Sequence, residues 1–129
     1  MYESRLYIVN AQTVKAPNSG ETVLSSEIAV YECGRMPDDF TWLFKAGGEI
    51  NFDLYVPGCN EDGEEAMVFT REDCYGEHCR MIRPDLLIKY IESHSEELAN
   101  YRRSAPLLGL LKGFDPNQWE NLMVVHYGH

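Results

Sequence analysis

The C-terminal stretch from Tyr101, YRRSAPLLGLLKGFDPNQWENLMVVHYGH, constrains the fold more than any other segment. Nearly every position in it has a structural reason, so we expect the stretch to be integral to the fold. Pro106 suits the first turn of a helix, where a missing N–H leaves no hydrogen bond unmade. Ser104 belongs to the residue types that cap helices. We therefore predict a short apolar helix over residues 107–111.

The same stretch predicts one further helical turn and a final strand. Asp115, Pro116 and Gln118 form a variant of the capping box, with Asp in place of Ser or Thr. The turn that they begin should pack Trp119 inward. Residues 122–127 then divide into two alternating sets, which is typical of a strand.

The earlier part of the chain predicts an antiparallel sheet and a long helix. Period-two alternation marks two strands that should form a hairpin with a long loop, and a third that points Ile50, Phe52, Leu54 and Val56 inward. A short helix should follow Pro37, and a fourth strand should precede Arg71. The strands are predicted over residues 2–10, 24–32, 50–56 and 66–70, and an amphipathic helix runs from Pro84 to about Tyr101.

At 129 residues and 44% hydrophobic composition, the chain is long enough for one domain with a real core, spanning residues 1–129. We predict an α+β fold. Its mainly antiparallel sheet of four or five strands should be covered on one face by the C-terminal helices, and the terminal strand should join this sheet.

Three blocks of the sequence carry a resemblance. They are MYESRLYIVN, the pattern DxYGE at residues 73–77, and YRRxAPLLGLLKGFDxxxWxxLxVxHYGH from Tyr101. Together they resemble a group of small proteins encoded in prophages and mobile elements of Gram-positive bacteria, for which no activity is established. The resemblance implies a phage-related origin and implies nothing about chemistry.

The charge of the chain is acidic and unevenly spread. The net charge is −10, and residues 49–80 hold nine carboxylates against two arginines, a local net of −7. Nucleic acids and anionic membranes are polyanions, so direct binding to either is not expected. The acidic charge is compatible with a basic protein partner. A more specific hypothesis is that the protein mimics DNA and occupies a basic nucleic-acid site on that partner. For the acidic residues themselves, the favoured interpretation is a solvated loop that serves solubility. The predicted contact residues are Glu61, Asp62, Glu64, Glu65, Asp73 and Glu77.

Four cysteines raise the question of a metal site. Zinc requires four converging ligands, usually supplied by two CxxC-like knuckles, and the chain contains no CxxC. Reduced free thiols are the favoured interpretation and no cofactor is predicted. If zinc does bind, Cys74, His78 and Cys79 are the expected ligands, with Cys59 as the fourth.

Two histidines close the chain. His126 should be half-buried and hydrogen-bonded in the core; the alternative is a general base, including a dyad with Cys33 or Cys74. His129 should lie on the opposite face of the strand, because three residues is an odd spacing.

An arginine pair and a set of four tyrosines each have both a structural and a functional interpretation. Arg102 and Arg103 should complement the C-terminus of the preceding helix rather than bind phosphate. Four tyrosines fall on outer or ambiguous strand faces, where they could mark a homodimer interface or be covered by helices. They are Tyr2, Tyr7, Tyr31 and Tyr55.

No catalytic motif accompanies these residues. The chain lacks GxxxxGK[ST], GxGxxG and GxSxG, and any apolar run near the roughly 18 residues that span a bilayer. The first ten residues do not follow the pattern of a signal peptide, and we expect them to form a strand instead. We therefore expect a cytoplasmic protein-interaction module rather than an enzyme. The alternatives are a metal-binding protein or small enzyme built on the Cys and His residues, and a homodimeric assembly accessory.

Overall fold

The computed structural model describes residues 3–16, 20–59, 61–115 and 121–129, with side chains described outside residues 11–26. The predicted turn that should pack Trp119 inward lies outside the described residues, as does Tyr2. None of the described helices combines the length and the apolar composition that crossing a bilayer requires.

Within the described ranges, seven strands and three helices make an α+β fold, as the sequence predicts. The strands are β1 (Ser4–Ala16), β2 (Gly20–Gly34), β3 (Gly48–Glu49), β4 (Leu54–Cys59), β5 (Glu65–Thr70), β6 (Arg80–Ile82) and β7 (Leu122–Gly128). The helices are α1 (Asp38–Lys45), α2 (Pro84–Ser93) and α3 (Ser104–Lys112). One antiparallel sheet has the order β2-β1-β7-β6-β3, and β4 pairs with β5 in a separate two-stranded sheet.

The hairpin of β1 and β2 is confirmed, but the predicted long loop is wrong. Strand pairing continues out to Ala16 opposite Gly20. The sequence in this region, QTVK and ETVL, contains the β-branched residues that favour extended pairing. The turn residues around Pro17 therefore predicted too long a loop, because the strand propensity on either side extends the pairing to Ala16 and Gly20.

Strand β7 is the centre of the five-stranded sheet and is buried on both faces. It pairs with β1 on one side and with β6 on the other. Consecutive residues Val124 and Val125 point to opposite faces, and both are fully buried. The terminal strand was predicted, whereas β6 was missed because three residues are too short to show a period.

One face of this sheet carries the helices. Leu6, Ile8 and Val124 from the sheet share a hydrophobic cluster with side chains from all three helices. The helical members include Phe40 and Phe44 of α1, Leu87 and Ile91 of α2, and Leu107 and Leu111 of α3. The sheet and all three helices therefore contribute side chains to one hydrophobic cluster.

The other face carries the β4–β5 hairpin. Val125 and Tyr127 pack there with a set that includes Ile50, Phe52, Leu54 and Val56. That inward set was predicted correctly, but residues 50–53 lie outside the strand. Pro57 and Gly58, which were expected to open the acidic loop, lie within β4. A Cβ at Gly58 would lie 2.7 Å from Val68 Cγ2, so any larger residue there would force the Val68 side chain to shift.

Helix α2 is shorter than predicted. It ends at Ser93 rather than continuing to Tyr101. The Ser93 hydroxyl donates to the Lys89 carbonyl at 2.7 Å, and His94 Nδ1 lies 2.9 Å from the Tyr90 carbonyl. Because polar side chains occupy the last carbonyls, continuation of the helix is disfavoured.

Two phenylalanines provide a matched test of the second core. Phe52 is 1% exposed and Phe69 is 72% exposed. Phe52→Ala should lower the free energy of unfolding by about 3–5 kcal/mol, because it leaves a cavity. Phe69→Ala should lower it by less than about 1 kcal/mol. Urea unfolding of both variants measures this, and equal losses would contradict the assigned core.

Candidate functional site

The outer face of the β4–β5 hairpin exposes an aromatic pair. Strand alternation turns Leu54 and Val56 into the core and Tyr55 outward. Phe69 is the register partner of Tyr55, and the two ring centroids are 4.7 Å apart. Tyr55 is 50% exposed, Phe69 is 72% exposed, and Met67 beside them is 46% exposed. Three large apolar side chains of one face therefore remain in water.

The tip of this hairpin is acidic. Glu61, Asp62, Glu64 and Glu65 lie between or at the ends of the two strands, and all four are exposed. Gly63 has a φ of 78°, a left-handed conformation that glycine adopts without strain and that closes the turn. The hairpin thus carries four carboxylates at its tip and an exposed aromatic pair towards the opposite end of its two strands.

The remaining predicted acidic contacts lie elsewhere. Asp73 and Glu77 belong to a turn that follows β5. Asp73 Oδ1 accepts hydrogen bonds from the backbone N–H groups of Tyr75, at 2.9 Å, and of Glu77, at 3.1 Å. Strand β5 separates this turn from the tip by about 16 Å at the usual rise per residue. The predicted acidic surface is therefore two places, not one.

The turn at residues 73–77 is fastened to the end of β7. The Cys74 N–H donates to the Gly128 carbonyl at 3.1 Å, and Tyr75 Oη donates to the His129 carbonyl at 3.0 Å. Cys74 Sγ lies 3.3 Å from Tyr127 Oη. Glu3 and His129 exchange two backbone hydrogen bonds. Parts of all three blocks that carry the resemblance therefore meet at one end of the sheet.

A cleft of about 380 Å³ lies next to this junction. Its walls come from α1, the turn at residues 73–77, the start of β6 and the end of β7. The lining residues are Thr41, Phe44, Lys45, Glu49, Asp73, Glu77, His78, Cys79, Arg80 and His126. Several residues that the sequence placed in separate hypotheses thus share one cleft. Thr41, Lys45 and Arg80 were not predicted, since their approach depends on tertiary packing.

His126 is the half-buried, hydrogen-bonded histidine that the sequence predicts. Its Nε2 lies 2.8 Å from the hydroxyl oxygen of Ser4, and its ring packs 5.4 Å from the Phe44 ring. Burial lowers the pKa of His126 to about 4, so the ring is neutral at physiological pH. Ser4 and His126 have the separation of a nucleophile and its base. Ser4 is fully buried, however, so a substrate has no access to its hydroxyl.

The buried cysteines are unsuited to nucleophilic chemistry. Burial raises the pKa of Cys33 to about 11 and that of Cys79 to about 12. Both are therefore protonated thiols at neutral pH, and the thiolate is the reactive form. This disfavours the proposed dyad of Cys33 with His126. Cys59 and Cys74 are exposed free cysteines.

The zinc hypothesis gains no support from the geometry. Within the described part of the chain, no group of three or more His, Cys, Asp or Glu residues is placed to hold a metal ion. Cys59 ends β4 at the hairpin tip, away from the turn that carries Cys74. His78 Nε2 lies 2.9 Å from the Ile50 carbonyl, to which it can only donate.

The prediction that the two arginines complement the end of the preceding helix is wrong. Helix α2 ends at Ser93, so Arg102 and Arg103 lie before α3 instead. Arg103 Nη1 donates to the Glu32 carbonyl at 2.7 Å, and the Tyr31 hydroxyl donates to the Arg103 carbonyl at 2.6 Å. Arg103 therefore fastens the start of α3 to β2. Arg102 is exposed.

The tyrosines and the last histidine divide between core and surface. Tyr7 is 2% exposed because the hairpin covers its face of the sheet, and Tyr31 is half-buried. Of the three predicted outer tyrosines within the described residues, Tyr55 alone is exposed. His129 Nε2 lies 3.4 Å from Glu32 Oε2 at the edge of the junction.

Comparison with protein-family models, curated proteins and solved structures finds no match to this chain.

The histidine in the cleft should make stability depend on pH. Its pKa is about 4 in the folded protein, against an ordinary value of 6.5. Between these values the unfolded chain binds a proton that the folded chain does not, so the free energy of unfolding falls as the pH drops from 6.5 towards 4. NMR titration of the His126 ring should give a midpoint near 4. A midpoint of about 6 or above would contradict the assigned burial.

Proposed function

We propose that this protein is a protein-interaction module and that its contact surface is the β4–β5 hairpin. The hairpin surface comprises the exposed apolar side chains Tyr55, Met67 and Phe69 and the acidic tip at residues 61–65. The observation behind this proposal is the exposed pair of Tyr55 and Phe69, whose tilted rings contact each other. Aromatic side chains supply much of the binding energy in protein interfaces, where their large area leaves water.

The charges at the tip of the hairpin indicate the kind of partner. The acidic tip favours a basic surface and disfavours nucleic acids and anionic membranes. Tyr55 and Phe69 also need an apolar groove to enter. We therefore propose a cytoplasmic protein whose binding site combines Lys or Arg with an apolar groove. A basic nucleic-acid site on such a protein is the sharper version, in which the tip takes the place of phosphates. If the chain has the phage-related origin that the resemblance implies, the partner would be a protein of the bacterial host.

Self-association through the same aromatic pair is the alternative, and salt separates the two. Two copies bring like charges together, so added salt should strengthen a homodimer. A basic partner is attracted by the tip, so added salt should weaken its binding. The sign of the salt effect therefore distinguishes a basic partner from a second copy of this chain.

The aromatic pair can be tested with an exposed control elsewhere. The double substitution Tyr55→Ser with Phe69→Ser should reduce capture of the partner from bacterial lysate by at least about tenfold, because it removes the apolar anchors. Trp42→Ser is the control, since Trp42 is 66% exposed on α1. Quantitative mass spectrometry of the captured proteins measures the effect. Equal losses for both variants, or none for the double variant, would contradict the proposal.

The acidic tip has its own matched pair. Glu64→Gln with Glu65→Gln should weaken capture at low salt and flatten its salt dependence, because two attractive charges are lost. Glu96→Gln with Glu97→Gln makes the same change of charge on exposed positions outside the hairpin. The control should keep the salt dependence of the unaltered protein. If both pairs behave alike, only the net charge matters and the tip is not a contact.

A further inference from the structure

Two clefts share one wall on the side of the molecule that carries α1. The first is the cleft of about 380 Å³ beside the junction, and the second has about 340 Å³. Thr41, Lys45 and Glu77 line both. Arg35 and Asp38, which are both exposed, line the second cleft only. Volumes of this size suit small molecules.

Lys45 and Glu77 face the same space with opposite charges but form no ion pair. Among the residues that the structure describes, neither makes an ion pair with any other residue. The Lys45 ammonium rests 5.0 Å from the centre of the Trp42 ring instead. Arg80, in the same wall, is differently placed: its Nη1 donates to the Gly47 carbonyl at 2.9 Å, and its Nη2 lies 3.5 Å from Glu49 Oε1. Arg80 is thus engaged by a carbonyl and a carboxylate, whereas the Lys45 ammonium contacts only the Trp42 ring and Glu77 makes no ion pair among the described residues.

Lys45 and Glu77 both belong to hydrogen-bonded backbone segments, α1 and the turn at residues 73–77. Thr41 and Lys45 are one turn apart on α1, so they share a face of that helix. Glu77 closes the turn at residues 73–77, where the Asp73 N–H donates to the Glu77 carbonyl at 2.9 Å. Asp73 also accepts two backbone N–H groups through one carboxylate oxygen. Because these backbones are already fixed, a ligand would bind with little loss of backbone entropy.

The inner part of the cleft lacks a net charge. The rings of Phe44 and His126 lie 5.4 Å apart there, and burial keeps the pKa of His126 low, so its ring is neutral. Such a surface accepts a short aliphatic segment between two charged ends. The carboxylate of Glu49 is offset by Arg80, so Glu77 and Asp73 leave the cleft favourable to an ammonium.

We propose that this cleft binds a small zwitterion, with its ammonium at Glu77 and its acidic group at Lys45 and Thr41. The acidic group is a carboxylate or a phosphate. The site is separate from the hairpin surface, so either proposal can fail without the other.

NMR titration of the ¹⁵N-labelled protein tests this site. The probes are glycine, β-alanine, 4-aminobutanoate and O-phosphoethanolamine, with ethylammonium and acetate as single-charge compounds. At least one zwitterion should shift the amide resonances of Thr41, Lys45 and Glu77 in a saturable way. It should bind at least about tenfold more tightly than either single-charge compound, since each end adds a charge-assisted hydrogen bond. Preference for phosphate or for carboxylate would identify the acidic group.

Matched substitutions then assign the two ends. Glu77→Gln and Lys45→Met should each weaken binding at least about tenfold. Glu72→Gln and Lys89→Met, at exposed positions outside both clefts, should leave it unchanged. All four positions are exposed, so far-UV circular dichroism should show an unchanged fold. The proposal is overturned if no zwitterion shifts these resonances, or if the cleft variants bind as their controls do.

Discussion

The two-sided burial of β7 is the constraint on which the rest of the structure depends. Val124 faces the helices and Val125 faces the hairpin, and neither is exposed. A strand with two apolar faces needs cover on both sides. Helices α1, α2 and α3 supply one cover, and the hairpin with residues 50–53 supplies the other. The C-terminal end of β7 also forms hydrogen bonds with the turn at residues 73–77, and this turn is one wall of the cleft.

The exposed aromatic pair is a consequence of this arrangement. The inner side chains of β4 are committed to the second core, where Val56 is fully buried. A two-stranded sheet that packs on one face leaves its other face in water. Polar residues on this outer face would be sufficient for a stable fold. Tyr55, Met67 and Phe69 occupy it instead, and exposed apolar side chains in this position are the basis of the proposed contact surface.

Local patterns predicted the parts of the fold that depend on local sequence. The inward set from Ile50 to Val56, the start of α2 at Pro84 and the terminal strand each follow from periodicity or helix-start signals. The end of α2 depended on the side chains of Ser93 and His94, which compete for the last carbonyls. The strand β6 is defined by its partners rather than by a pattern of its own.

The site was harder to predict because its parts are distant in the sequence. Ser4 and His126 are 122 residues apart and yet form a hydrogen bond. The acidic region reads as one block in the sequence, but β5 carries its two halves to different places. The cleft joins four separate segments, and periodicity carries no information about which of them meet. The exposure of Tyr55 was predicted, whereas its pairing with Phe69 depends on the hairpin register.

Hydrogen–deuterium exchange of the free and partner-bound protein tests the central claim most directly. If the hairpin is the contact surface, bound protein should show slower exchange across residues 54–70, with β7 and the helices unchanged. Protection confined to the cleft or to the helices, with the hairpin exchanging as in the free protein, would contradict this account.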